Sequence, residues 1–189
     1  MVSILFARSD SNYYKLEGVD VFDKNRNALT YQGGTPIVAH PPCRAWGRLR
    51  WSAKPEPWER ELAIWAVEQV RKNGGVLEHP ESSQLWKELD LPFGSEVDQY
   101  GGFTLSVDQF WFGHRARKRT WLYIVGISPS EIPPYPLKFD AITHTVLTNM
   151  RRKRAWYKPK PEITKAEREH TPPAFAKWLV SLARLCSRQ

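Results

Sequence analysis

The sequence contains few cysteines and no long apolar stretch. Its 189 residues include two cysteines, Cys43 and Cys186, and no window approaches the roughly 20 apolar residues that cross a bilayer. Two distant thiols provide no disulfide framework, so we expect a reducing, cytoplasmic environment. We also expect no membrane contact and no targeting leader, because the N-terminal segment has only a short apolar run. Internal repeats and low-complexity tails are absent as well.

The composition is basic and rich in tryptophan. There are 28 Lys and Arg against 20 Asp and Glu, a net charge of +8, and nine Trp, several beside Arg or Lys. Cationic and aromatic side chains together suit the phosphates and bases of nucleic acid. Since 41% of the residues are hydrophobic, the chain can bury one core. We therefore expect a single-domain monomer whose partner is nucleic acid.

Apolar runs alternate with helical patterns along the chain. We predict strands at 2–7, 19–22, 36–39, 76–77, 103–107 and 120–125, and helices at 57–72, around Leu85, and at 172–185. Pro57 can open the long helix, and Asn73-Gly74-Gly75 can end it. This alternation favours an α/β fold with a mostly parallel sheet flanked by helices.

The stretch 128–161 differs in character from the rest. It contains six prolines and the run MRRKRAWY, so we assign 1–127 and 162–189 to the α/β core and 128–161 to a proline-rich basic segment. The run is either a solvated loop or a nucleic-acid contact. We favour phosphate contacts from four of its residues: Arg151, Arg152, Lys153 and Arg154.

Cys43 follows a short apolar strand and the pair Pro41-Pro42. The prolines restrict the backbone, so they should hold the thiol on a stiff stalk at the strand end. A buried cysteine used as a small hydrophobe is the alternative. The loop beyond contains three arginines that we expect to lower the pKa of the thiol and to contact nucleic acid: Arg44, Arg48 and Arg50.

Glu78 and an arginine comb follow other predicted strands. Glu78 could cap a turn, and Arg115, Arg117 and Arg119 could be a solvated edge. Together with Cys43 they form a chemical set: a thiolate adds to an electron-poor ring carbon, a carboxylic acid protonates a ring nitrogen, and an arginine holds a carbonyl oxygen. This is the set that activates cytosine for substitution at ring carbon 5.

These motifs resemble, in chain order, the DNA cytosine carbon-5 methyltransferases. Pro42-Cys43 is similar to the family's nucleophile motif, and Leu77-Glu78-His79 to its Glu-Asn-Val motif. Arg115-x-Arg117-x-Arg119 and the strand after it are similar to Gln-x-Arg-x-Arg, and His170-Thr171-Pro172-Pro173 to the last motif. The resemblance implies a Rossmann-like methyltransferase core acting on double-stranded DNA with the target base flipped out. Cys43, Glu78 and Arg117 would be catalytic, and Arg115 and Arg119 would contact nucleic acid.

The same resemblance implies S-adenosylmethionine as methyl donor, in a pocket that has changed. Arg8, Ser9 and Asp10 stand where the family has glycines after its first strand, and side chains there would crowd the cofactor. We expect a rebuilt, weaker site bounded by five residues: Phe6, Asp10, Asp23, Pro41 and Thr171.

Three other interpretations remain open. The enzyme could activate cytosine but use a different donor or a free nucleotide. It could be an inactive relative that binds DNA without turnover. A metal site is the third, with His40, Cys43, His79 and His114 as candidate ligands, but their spacing fits no known zinc signature, so we predict none.

Overall fold

The computed structural model describes residues 1–48, 50–146 and 160–186. In this part of the chain six strands form one sheet with the order β2-β1-β3-β4-β6-β5. The strands are β1 (Val2–Ala7), β2 (Val19–Asp23), β3 (Ile37–Ala39), β4 (Gly75–Pro80), β5 (Phe103–Asp108) and β6 (Arg119–Val125). All six predicted strands are thus confirmed, with small differences at their ends.

The sheet is mixed, so the prediction of a mostly parallel sheet is wrong. Strands β2, β1, β3 and β4 pair in parallel, whereas β6 runs antiparallel to both β4 and β5. Parallel strands need long crossover connections, whereas a shorter connection allows an antiparallel partner. No helix longer than one turn is described between β5 and β6, and the two form an antiparallel pair.

Helices cover both faces of the sheet. They are α1 (Arg50–Ala53), α2 (Glu59–Asn73), α3 (Leu85–Glu88), α4 (Lys165–Glu169) and α5 (Pro173–Leu185). Side chains alternate across β4, so Val76 joins the core under α5 and Leu77 joins the core under α2. The last helix is core packing, as predicted, because Phe175 and Leu179 are fully buried.

The start of the proline-rich segment packs against this core. The indole N–H of Trp178 in α5 donates to the carbonyl of Pro133 at 3.2 Å. The ring of Tyr135 lies 5.6 Å from that of Trp178 and 5.9 Å from that of Trp111. The run Arg151–Arg154 lies outside the described residues.

The connections put the loops after β1 and β3 side by side. From β1 the chain goes to β2 on one side, and then to β3 on the other. Such a reversal opens a crevice at the carboxyl ends of the strands, which is where α/β sheets bind ligands. Arg8–Ser11 and His40–Cys43 occupy these two loops, so the predicted nucleophile lies beside the reversal. Among the described helices, none is long and apolar enough to span a membrane.

Gly75 is a structural requirement of the β3–β4 pair. It adopts φ +124°, and a Cβ there would overlap the backbone of Ile37, its partner in β3. We predict that Gly75→Ala lowers the free energy of unfolding by roughly 2–4 kcal/mol, in the range of strong backbone and steric effects. Urea unfolding measures this.

Gly34→Ala is the matched control. Gly34 also has a positive φ, +84°, but no atom lies within 4 Å of a Cβ built there. This variant should lose only about 1 kcal/mol, the backbone cost alone. Equal losses in the two variants would contradict the close contact between Gly75 and β3.

Candidate active site

Glu78 lies at the centre of a hydrogen-bond network at the carboxyl end of β4. Its Oε2 is 3.0 Å from Nδ1 of His40, which follows β3. Its Oε1 accepts from the hydroxyl of Thr120 in β6 at 2.7 Å and from the amide of Gln109, just after β5, at 3.3 Å. Four adjacent strands therefore bring one carboxylate and its partners together.

The carboxyl group of Glu78 is ionised in the free protein. Burial by itself raises a carboxyl pKa, but the hydrogen bond and electrostatic effect of His40 outweigh this. Lys118 and the bond from Thr120 act in the same direction, and the pKa of Glu78 falls to about 2. We expected a carboxylic acid here, but the free protein presents an acceptor.

His40 and Tyr13 extend the network into the core, and sequence reasoning missed this role for both. The hydroxyl of Tyr13 lies 2.8 Å from Nε2 of His40, and the Tyr13 side chain is buried. Because a carboxylate only accepts, Nδ1 of His40 must be the donor to Glu78. The position of His40 directly before Pro41-Pro42 was the available signal, but we had considered it only as a metal ligand.

Cys43 is exposed at the rim of the same edge. Its carbonyl accepts from the N–H groups of Trp46 and Gly47 at 3.1 and 2.9 Å, so the loop turns sharply after Cys43. Desolvation and then the charge of Glu78 raise the pKa of the thiol, while Lys118 opposes them. The predicted lowering of this pKa is therefore wrong. The nearest arginine in sequence, Arg44, binds the Glu59 carboxylate at 3.0 Å.

The arginine comb points away from Glu78. Residues alternate between outside and inside in this extended segment, with Arg115, Arg117 and Arg119 exposed and Ala116 and Thr120 buried. Each arginine meets a carboxylate outside the network: Arg115 with Glu167 at 2.5 Å, Arg117 with Asp108 at 3.5 Å, and Arg119 with Glu81 at 3.3 Å. The structure does not place Arg117 beside Glu78.

Lys118 is the cation on the inner side of the comb. It is partly buried, and its positive charge lowers the pKa of both Cys43 and Glu78. Its backbone N–H donates to Oδ1 of Asp108 at 3.0 Å, and its carbonyl accepts from the N–H of Gln109 at 3.1 Å. Two backbone bonds thus fix the position from which the ammonium group acts.

His79, the neighbour of Glu78, is buried on the other face of β4. Neither ring nitrogen forms a hydrogen bond of normal geometry within the described chain. The nearby carbonyl of Pro42 nevertheless acts to raise the pKa of His79. Burial lowers the pKa of His79 to about 4. The ring is therefore neutral near neutral pH and packs 6.4 Å from that of Trp86.

The loop after Cys43 presents cationic and aromatic groups to solvent. Arg48 is exposed, and the guanidinium of Arg50 lies 4.6 Å from the ring centre of Trp51. Trp51 is 84% exposed, which is unusual for a tryptophan. This end of the loop has the composition of a surface that stacks on bases and contacts phosphates.

Other groups of the protein already bind the two carboxylates of the predicted cofactor site. Asp10 binds Arg8 at 2.8 Å and His170 at 3.0 Å. Oδ1 of Asp23 accepts from the N–H groups of Asn25 and Arg26 at 2.9 and 3.1 Å. A ribose or an amino group would therefore have to compete with these protein partners for both carboxylates.

The three other predicted cofactor residues surround the same reversal point. Phe6 adopts φ +61° at an irregularity in β1 and packs edge-on against Trp65. Pro41 is buried, and the carbonyl of Thr171 accepts from the side-chain amide of Asn12 at 2.9 Å. Within the described ranges, no group of three His, Cys, Asp or Glu side chains could hold a metal ion.

The electrostatics of the site can be read from the reactivity of Cys43. We predict that Glu78→Gln shifts the pH dependence of Cys43 alkylation to lower pH, because it removes a negative charge that raises the thiol pKa. Lys118→Met should shift it to higher pH, since a positive charge is lost. Iodoacetamide labelling with mass spectrometry of the Cys43 peptide measures both shifts, separately from buried Cys186.

Arg117→Met is the control for Lys118→Met. Both variants remove one positive charge from neighbouring residues, but Arg117 is turned toward solvent and Asp108. We expect no shift in the labelling curve for Arg117→Met. A shift as large as that of Lys118→Met would contradict the inward placement of Lys118.

No protein-family model, no curated protein and no solved structure matches the chain. The resemblance to the cytosine carbon-5 methyltransferases therefore depends on the short motifs quoted above. The function of the site must follow from the chemistry of its own side chains.

Proposed function

We propose that this protein modifies cytosine in nucleic acid by covalent activation of the base, with DNA as the substrate. One observation carries the proposal: a thiol, an ionised carboxylate and an ammonium group come together at one sheet edge, where His40, on the segment of the thiol, binds the carboxylate, and where the carboxylate and the ammonium group act in opposite directions on the thiol. These groups are Cys43, Glu78 and Lys118. Nucleophile, proton carrier and cation are the three parts that addition to a pyrimidine ring requires.

The addition balances within these three groups. Sulfur of Cys43 forms a bond to ring carbon 6, and the double bond between carbons 5 and 6 is lost. Its electron pair is delocalised toward the ring carbonyl, and a proton is added to the ring nitrogen. Glu78 is an acceptor in the free protein, so it can take the proton that sulfur loses and pass it to the ring. Once an electrophile has added to carbon 5, loss of the carbon 5 proton to solvent re-forms the double bond and expels sulfur, and the ring-nitrogen proton returns through Glu78 to sulfur.

The raised thiol pKa gives this sequence an order. While the site is empty, desolvation and then the charge of Glu78 keep Cys43 in its thiol form. A base that donates an N–H to Glu78 weakens that charge, and the thiol pKa then falls. Binding of a base at Glu78 is therefore expected to make Cys43 more nucleophilic than it is in the empty site.

Lys118 takes the place that we had expected Arg117 to fill. Its charge already acts on Glu78 and Cys43, so in this proposal it would stabilise the negative charge that develops on the ring during addition. A fixed cation at that point stabilises the adduct more than the ground state. Arg48, Arg50 and exposed Trp51 would bind the strand that carries the base.

The sheet supports the proposed Rossmann-like methyltransferase core. Four parallel strands put the loops of Cys43 and Glu78 at the carboxyl edge, beside the reversal between β1 and β3. The resemblance then implies S-adenosylmethionine as donor at this point. The residues do not fit it as they are arranged, because Asp10 and Asp23 bind other groups of this protein.

That disagreement favours a second candidate function. A base-activating enzyme with a different electrophile would use the same Cys43, Glu78 and Lys118 without a nucleoside cofactor. The observation in its favour is the closed set of bonds among Arg8, Asp10 and His170 where the family has glycines. Binding of S-adenosylmethionine in a calorimetric titration would decide against this second candidate.

Covalent activation predicts a trapped intermediate. DNA that carries 5-fluorocytosine should form an adduct with the wild-type protein, visible as a band that survives denaturation. Cys43→Ser should form none, because it lacks the thiol. Glu78→Gln should form it at least ~100-fold more slowly, which is within the range of general acid–base contributions.

Cys186→Ser is the matched control, since Cys186 is a fully buried cysteine. It should form the adduct at the wild-type rate. DNA affinity of all variants, measured by fluorescence anisotropy, should stay near the wild-type value. Failure of the wild-type protein to form an adduct on varied DNA sequences, with and without S-adenosylmethionine, would reject covalent activation.

The arginines of the Cys43 loop predict salt-dependent binding. Arg48→Gln should weaken binding to all DNA sequences alike and reduce the slope of log affinity against log salt by up to ~0.9, the value for one phosphate contact. Lys72→Gln is the control. Lys72 is exposed in the last turn of α2, which leads into the start of β4, at the opposite end of the strands from Cys43. An unchanged slope for Arg48→Gln would place Arg48 outside the interface.

A further inference from the structure

We infer that His40 is a positioning residue that fixes the nucleophile and the proton carrier relative to each other. The inference rests on the proposed function of Cys43 and Glu78. His40 lies on the chain segment that carries Cys43, yet its side chain binds Glu78 on the next strand, with Nδ1 3.0 Å from Oε2. Among the described side chains, that of His40 connects the segment of Cys43 to Glu78.

The backbone places His40 directly beside Glu78. Ala39 pairs with Leu77 in the parallel register of β3 and β4, so His40 and Glu78 occupy the next positions along their strands. The N–H of His40 donates to the carbonyl of Leu5 in β1 at 3.0 Å. The residue is therefore held by its backbone on one side and by its side chain on the other.

Two prolines transmit this position to the thiol. Pro41 and Pro42 separate His40 from Cys43, and proline fixes φ near −65 ± 15°. A stalk with little rotational freedom moves with its base, so a displaced His40 would displace Cys43. A misplacement of about 1 Å at a reacting atom can cost ~100-fold in rate.

Tyr13 determines which way the imidazole faces. Since Nδ1 donates to a carboxylate, Nε2 is left to the hydroxyl of buried Tyr13, 2.8 Å away. With both ring nitrogens engaged, neither is directed at the thiol. His40 is therefore not the general base of a Cys–His nucleophile pair, and its role is to hold Glu78 and the stalk.

Two substitutions separate the two sides of the ring. The amide nitrogen of an asparagine falls near the place of Nδ1, so His40→Asn can still donate to Glu78. The amide of a glutamine reaches the place of Nε2, so His40→Gln can meet Tyr13 but loses the bond to Glu78. We expect the rate of adduct formation with 5-fluorocytosine DNA to fall ~100-fold in His40→Gln and less than ~10-fold in His40→Asn.

Three further measurements make the result specific to positioning. DNA affinity should be unchanged in both variants, because His40 is proposed to contact no substrate. The pKa of the Glu78 carboxyl, followed by carbon-13 NMR, should rise more in His40→Gln, which loses both the hydrogen bond and the electrostatic effect of His40, than in His40→Asn, which keeps the hydrogen bond. Tyr13→Phe should cause an intermediate loss of rate, because it releases Nε2 and leaves the bond to Glu78 in place.

The outcomes distinguish this inference from the proposed function. A wild-type protein that forms no adduct rejects the proposed function, while the Glu78 titration still decides whether His40 holds the carboxylate. Equal adduct rates in wild type and His40→Gln would overturn the positioning role. So would equal losses in His40→Asn and His40→Gln that follow their urea midpoints, because these would indicate a structural role alone.

Discussion

The ionised carboxylate of Glu78 is the constraint on which the rest of the site depends. A buried charge is costly unless hydrogen bonds and opposite charge compensate for it. Here the compensation comes from His40 after β3, Thr120 in β6 and Gln109 after β5, with Lys118 nearby. The mixed sheet makes this set possible, because an antiparallel β6 brings the first residues of one strand against the last residues of β4.

The same charge creates a conflict that the site must resolve. The negative charge of Glu78 is stabilised by its partners, but it still raises the pKa of the Cys43 thiol. An ionised Glu78 disfavours the thiolate form of Cys43, because two neighbouring negative charges repel each other. In the proposed function, a base that shares a proton with Glu78 would relieve part of this conflict, so binding and activation of the thiol would be parts of one equilibrium.

Much of the fold could be predicted from the sequence, because apolar runs and the Pro57 and Gly74-Gly75 signals are local. The direction of β6 could not, since strand direction depends on which partner it finds. At the site, Cys43 and Glu78 were identified from their strand-end positions, but Arg117 was chosen where Lys118 faces inward. The alternation of residues gives two possible inner sets. Small Ala116 among the arginines marks the even-numbered set as inner in the sequence, and in the structure Ala116 and Thr120 are buried.

The residues after β1 connect the predicted cofactor site to Glu78 and Cys43. Arg8 and Asp10 lie in the loop between β1 and the short helix that carries Tyr13, and Tyr13 bonds to His40. A donor that entered here would have to displace the Arg8–Asp10 pair, whose groups are largely exposed and weakly held. Movement of that loop would shift Tyr13 and therefore His40, which binds Glu78. The loop after β1 is thus connected to the Glu78 carboxylate through Tyr13 and His40.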